Sequence, residues 1–143
     1  MYYDKGDYDQ AIADYTRALQ INPNYADAYV NLGNAYNAKG DYEQAVSHYT
    51  KAIQIDSNNA KAYHNRGLAY ENIGAHDQAV ADFTKAVQIN PRNAEAYKGR
   101  AGAYFAKREY DKAWEDVHGV YALGDTVKPE FLEELKKASG RER

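Results

Sequence analysis

No cysteine occurs among the 143 residues, so the chain has no disulfide framework, no thiolate metal ligand and no cysteine nucleophile, and its redox compartment is left open. Long apolar runs are missing too. Nothing approaches the ~18 to 20 consecutive apolar residues of a membrane span, and no basic segment followed by an apolar core opens the sequence. Neither sign of charge dominates: 18 basic and 21 acidic residues leave a net charge of -3, which argues against a dedicated nucleic-acid binder, whose footprint is basic. Branched aliphatics are scarce, with Leu, Ile and Val together giving 19 residues.

What is abundant is alanine, with 24 residues, and tyrosine, with 15. Burial must therefore come from close helix contacts and large aromatic bodies, which suits thin repeated layers better than one thick core. The layers are visible as a period of 34 residues: YVNLGNAYNAKGDYEQA from Tyr29, YHNRGLAYENIGAHDQA from Tyr63 and YKGRAGAYFAKREYDKA from Tyr97. At this shift Tyr29, Tyr63 and Tyr97 coincide, as do Ala35, Ala69 and Ala103, and Tyr36, Tyr70 and Tyr104. In the second half of each unit Ala11, Ala45, Ala79 and Ala113 coincide, followed by Tyr15, Tyr49, Phe83 and Val117, then by Ala18, Ala52, Ala86 and Val120.

Both halves carry apolar residues at i, i+3, i+4 and i+7, as in Tyr29, Leu32, Gly33 and Tyr36, so each unit is expected to be a pair of amphipathic helices. Gly6, Gly40 and Gly74 punctuate the halves; Pro23 and Pro91 follow second helices, which they cannot continue. In IDSNNA, Ser57 replaces that proline and polar side chains are expected to make the turn. Gly33 and Gly67 inside helices cost roughly 0.5 to 1 kcal/mol each relative to alanine, so a steric reason is expected: close approach of the paired helix, with Ala45 and Ala79 contributing from the other side.

These residues resemble the tetratricopeptide repeat family, whose 34-residue pattern runs aromatic, Leu-Gly, Tyr, Ala-x-x-x-Phe and a late proline. Tyr29, Leu32, Gly33, Tyr36, Ala45 and Tyr49 match in order, as do Tyr63, Gly67, Tyr70, Ala79, Phe83 and Pro91. Departures are Arg66 and Arg100 where Leu32 stands, Ala101 for the glycine, His76 for Tyr42, and Val117 and Val120 in a drifting last unit. The resemblance implies an all-α fold, a right-handed superhelix of antiparallel helix pairs. The expected organisation of 1–143 is a partial repeat (1–25), full repeats (26–59 and 60–93), a divergent last repeat (94–125) and a capping helix (126–139) with Phe131, Leu132 and Leu135 on its packed face. The first unit keeps its second helix, about Asp7 to Ile21, but only MYYDK of its first; Tyr8, Ile12, Tyr15 and Leu19 are accordingly expected to expose apolar surface for end-to-end self-association.

Catalytic and metal chemistry find no constellation. His48, His64, His76 and His118 fall in different units without ligand spacing, Ser47 and His48 diverge as helical neighbours, and no phosphate-binding glycine loop appears. No enzyme activity, cofactor or metal is expected. By resemblance, the first helices line a concave groove that receives an extended peptide or a partner's helix. Asn31, Asn34 and Asn65 are the candidates for pairing with a ligand backbone, since their amides donate and accept; Lys61, His64 and Lys98 would attract a carboxylate, and Glu71 shares the face. One family variant clamps a C-terminal carboxylate with Lys and Asn, then Asn, then Lys and Arg on three inner helices. Asn31 and Lys61 match it, but Asn65 stands where the Arg belongs, so that clamp is incomplete. The expected function is a noncatalytic scaffold for a protein or peptide partner, with a homo-oligomer or an accessory segment of a larger enzyme as alternatives.

Overall fold

A computed structural model describes residues 5–141, with side chains from Asp7 onward. Met1 to Asp4, most of the expected remnant of a first helix, lie outside them. Among the described residues there are eight helices and no strand: α1 (Lys5–Ile21), α2 (Ala26–Ala38), α3 (Tyr42–Ile55), α4 (Ala60–Ile73), α5 (His76–Ile89), α6 (Ala94–Ala106), α7 (Tyr110–Ala122) and α8 (Pro129–Ser139). Helix α1 begins before Gly6 instead of after it. A glycine in a first turn forfeits little, because the N–H groups there have no intrahelical acceptor to lose.

Punctuation between helices is local chemistry repeated. Within pairs, the chain leaves the first helix through left-handed Gly40 (φ 85°) and Gly74 (φ 89°), and the amides of Asp41 and Ala75 reach back to the carbonyls of Tyr36 and Tyr70. The last pair makes the same turn with a residue that has a Cβ, Arg108, at φ 63°. Between pairs, Asn22, Asp56 and Asn90 accept from the amide two residues on, and Asn59 and Asn93 cap α4 and α6 through the amides of Ala62 and Ala96. In IDSNNA it is therefore Asp56 and Asn59 that shape the turn. Tyr25, which occupies the cap position of α2, supplies no such bond.

Helices pair as α2 with α3, α4 with α5 and α6 with α7, and each pair packs on the next in a solenoid of helix pairs. The seam differs from the expectation of glycine against alanine. A Cβ on Gly33 would sit 2.6 Å from Cδ1 of Tyr49, and one on Gly67 2.9 Å from Cε1 of Phe83. Both rings are fully buried, so the missing side chains admit aromatic bodies, while Ala45, Ala52, Ala79 and Ala86 let the backbones close around them. Gly99, from the following pair, approaches the same ring: a Cβ there would sit 2.6 Å from Cζ of Phe83. One ring thus serves two layers.

Helix α8 closes the C-terminal layer. Leu135 is fully buried beside Trp114 and Val117, with Phe131 and Leu132 packed against them. The Trp114 indole donates to Ser139 Oγ at 2.9 Å, and Ser139 donates to the Leu135 carbonyl at 2.7 Å, which ties the end of α8 to α7.

Candidate functional site

Helix α2 meets α4 and α4 meets α6 directly, so the first helices form the inner, concave side. What holds them at fixed register is a polar device. Arg66 Nε and Nη2 donate to the two Asp82 oxygens at 2.7 and 2.8 Å, and Nη1 donates to Thr50 Oγ1 at 3.0 Å. One repeat on, Arg100 does the same with Asp116 at 2.9 and 2.7 Å and with Thr84 at 3.1 Å. Each guanidinium thereby joins the second helix of its own pair to the second helix of the preceding pair. Tyrosines flank it: Tyr63 and Tyr70 lie 5.7 Å from Arg66, Tyr97 and Tyr104 5.6 and 5.9 Å from Arg100. Burial pushes the Asp82 and Asp116 carboxyls up from their ordinary value, with the arginines only partly opposing it.

In the α2–α3 pair the same positions hold Leu32 and His48. The imidazole of His48 stacks on Tyr36 at 5.1 Å and on Tyr29 at 6.2 Å, flanked by tyrosines as the arginines are. Burial lowers its pKa, so it packs as a neutral ring.

On the concave surface, Asn34 Oδ1 accepts from Tyr49 OH at 2.6 Å and from Asn65 Nδ2 at 3.0 Å, which links α2 to α4. Two adjoining recesses continue toward α6. One, about 280 Å³, lies among Lys61, His64, Asn65, Asn93 and Glu95; the other, about 330 Å³, lies among His64, Leu68, Lys98, Gly99 and, at the start of the cap, Val127 and Phe131. His64 borders both, its ring edge-on to Phe83 at 5.7 Å, and burial lowers its pKa with Glu95 partly opposing. Lys98 bonds to Glu95 at 3.0 Å and Asp125 at 3.1 Å, both of which raise its pKa.

Family models described as TPR repeat match residues 1–39 and 33–74, and one described as tetratricopeptide repeat matches 60–93. The chain belongs to the tetratricopeptide repeat family. No protein of curated function matches it. Among solved structures, this TPR chain is similar to the crystal structure of MamA, with TM-score 0.84 and 27% identity over 95% of this chain and 81% of that one. It is similar to the first TPR of Spaghetti (RPAP3) bound to HSP90 peptide SRMEEVD, with TM-score 0.74 and 31% identity over 80% and 90% of the two chains. The Arabidopsis OM64 TPR domain gives TM-score 0.74 and 30% identity over 78% and 94%.

Within this TPR fold the candidate groove residues part company. Asn34 and Asn65 come together; Asn31 is half-buried on the same face of α2; Lys61, His64 and Asn65 border one recess. Glu71 is engaged elsewhere, 2.6 Å from His76 Nδ1 across the turn of its own pair. Lys98 is already matched by two carboxylates. Tyr8, Ile12, Tyr15 and Leu19 are each half-buried on α1. Reading the sequence missed Asp82, Asp116, Thr50 and Thr84 as partners of the two arginines. The signal was present: each arginine stands 16 residues from both its carboxylate and its hydroxyl, twice over.

Proposed function

We propose that the chain is a noncatalytic interaction scaffold whose concave groove holds an extended segment of a partner protein, with Asn31, Asn34 and Asn65 pairing to the ligand backbone and Lys61 drawing acidic groups. The observation that carries this reading is the Asn34–Asn65 link. Two donors fix Asn34 Oδ1, which leaves Asn34 Nδ2 and Asn65 Oδ1 with no protein partner among the described residues, one donor and one acceptor on the same face. The similar Spaghetti domain, solved with a bound peptide, supports the same use of the fold. A pull-down with the chain as bait tests it: partners should be lost with Asn65→Ala/Lys61→Ala. Partners kept equally by both baits would remove the groove from the account.

A second reading, self-association through α1, has its own observation. Tyr15 is half-buried, whereas its register mates Tyr49, Phe83 and Val117 are fully buried, and Ile21 is 81% exposed. Sedimentation equilibrium should show mass rising with concentration and falling back in Tyr15→Glu; a constant monomer mass would dismiss it.

A further inference from the structure

The 330 Å³ recess is unlike the rest of the groove. Its apolar lining comes from Leu68 on α4, the Gly99 backbone on α6, and Val127 and Phe131 from the cap. At the register position where α2 has Asn34, α4 has Leu68, 38% exposed, and α6 has Gly102, where an added Cβ would meet nothing within 4 Å. One inner helix thus presents an apolar side chain and the next withdraws its own. Phe131 is braced edge-on by Phe105 at 5.6 Å, so the far wall is fixed. The volume is at the low end of the ~300 to 1,000 Å³ of ligand clefts, room for an anchoring side chain and not for a helix.

Charge defines the surroundings. Lys98 is neutralised by Glu95 and Asp125, but Lys128 on this recess and Lys61 on the adjoining one make no ion pair among the described residues. The two recesses meet at His64 and Glu95, so unmatched cations stand on both sides of the apolar lining.

We propose that this recess is a specificity pocket for one apolar side chain, of leucine to phenylalanine size, from an extended peptide partner whose flanking residues are acidic and face Lys61 and Lys128. Helix α8 is then a wall of the binding site as well as a cap. The inference rests on the groove reading above and adds the chemistry of its ligand.

Panning short randomised peptides, displayed with their C-termini fused, against the whole chain tests it, followed by fluorescence anisotropy with the selected sequence. Selected peptides should share one Leu, Ile, Met or Phe next to Asp or Glu. Leu68→Glu should weaken binding at least about tenfold, and Lys128→Glu several-fold with a shift of preference toward basic neighbours. Both positions are exposed, so unchanged thermal melts separate binding loss from unfolding. Peptides without a fixed apolar position, or full affinity in both variants, overturn the pocket. If such peptides still depend on Asn65→Ala/Lys61→Ala, the groove survives and only the pocket falls; if no peptide is selected, both fall.

Discussion

Removing the Asp82 carboxylate should unbalance the fold far more than a surface ion pair would. The Arg66 and Asp82 side chains are 17% and 6% exposed, joined by two hydrogen bonds, and the guanidinium lies between two tyrosines. Asp82→Ala leaves that cation buried without its counter-charge, which costs about 3 to 5 kcal/mol, whereas an exposed pair is worth roughly 0 to 1 kcal/mol. The protein supplies its own control, because Leu32 and His48 occupy these places in the preceding pair. Arg66→Leu/Asp82→His transplants that solution. Replacing both charged partners with packed groups should cost less than about 1.5 kcal/mol, leaving a coupling of several kcal/mol between the two sites. The assay is urea unfolding followed by far-UV circular dichroism, on Asp82→Ala and, for the coupling, on Arg66→Leu, Asp82→His and their double, with slopes compared to exclude a change in cooperativity. Additive losses, or an Asp82→Ala cost below about 1 kcal/mol, would refute the view that the pair is buried machinery holding adjacent repeats in register.

Three other outcomes follow from the same geometry. Gly33→Ala, whose Cβ would sit 2.6 Å from a buried ring atom, should lower stability by about 1 to 3 kcal/mol, whereas Gly102→Ala, with open space around it, should raise it by about 0.5 to 1 kcal/mol in the same unfolding assay. Arg108→Gly should stabilise the chain by about 1 kcal/mol, read as a higher melting temperature, because a left-handed φ of 63° costs a residue with a Cβ and costs glycine little. Stability should fall as pH drops through about 6.5, since His48 and His64 have lowered pKa values in the fold and the unfolded chain takes up protons that the folded chain refuses. His48→Phe, which keeps an aromatic ring between Tyr29 and Tyr36, should flatten part of that acid limb in melts run across the range.

The sequence by itself determined the repeat, the helix pairs and their punctuation, because these rest on local chemistry. A 34-residue period, alanine and tyrosine at helical spacing, and glycine or asparagine at turns are satisfied within a few residues of chain, wherever the rest goes. The cap was legible for the same reason, Phe131, Leu132 and Leu135 sharing one side of a short helix. The asparagines of the inner helices could be placed on one face by periodicity, but their link across α2 and α4 could not, since it depends on how two helices cross. Only the tertiary structure decided what the odd residues do. Arg66 and Arg100 read as departures until folding brought carboxylates from one neighbouring helix and hydroxyls from another to each guanidinium. Glu71 shares the inner-helix face by periodicity, but only the turn shows that it pairs with His76, and the return of α8 sets Val127 and Phe131 beside Leu68 and Gly99 in one recess. Those assignments need distances between residues on different helices, and periodicity along one helix contains no information about them.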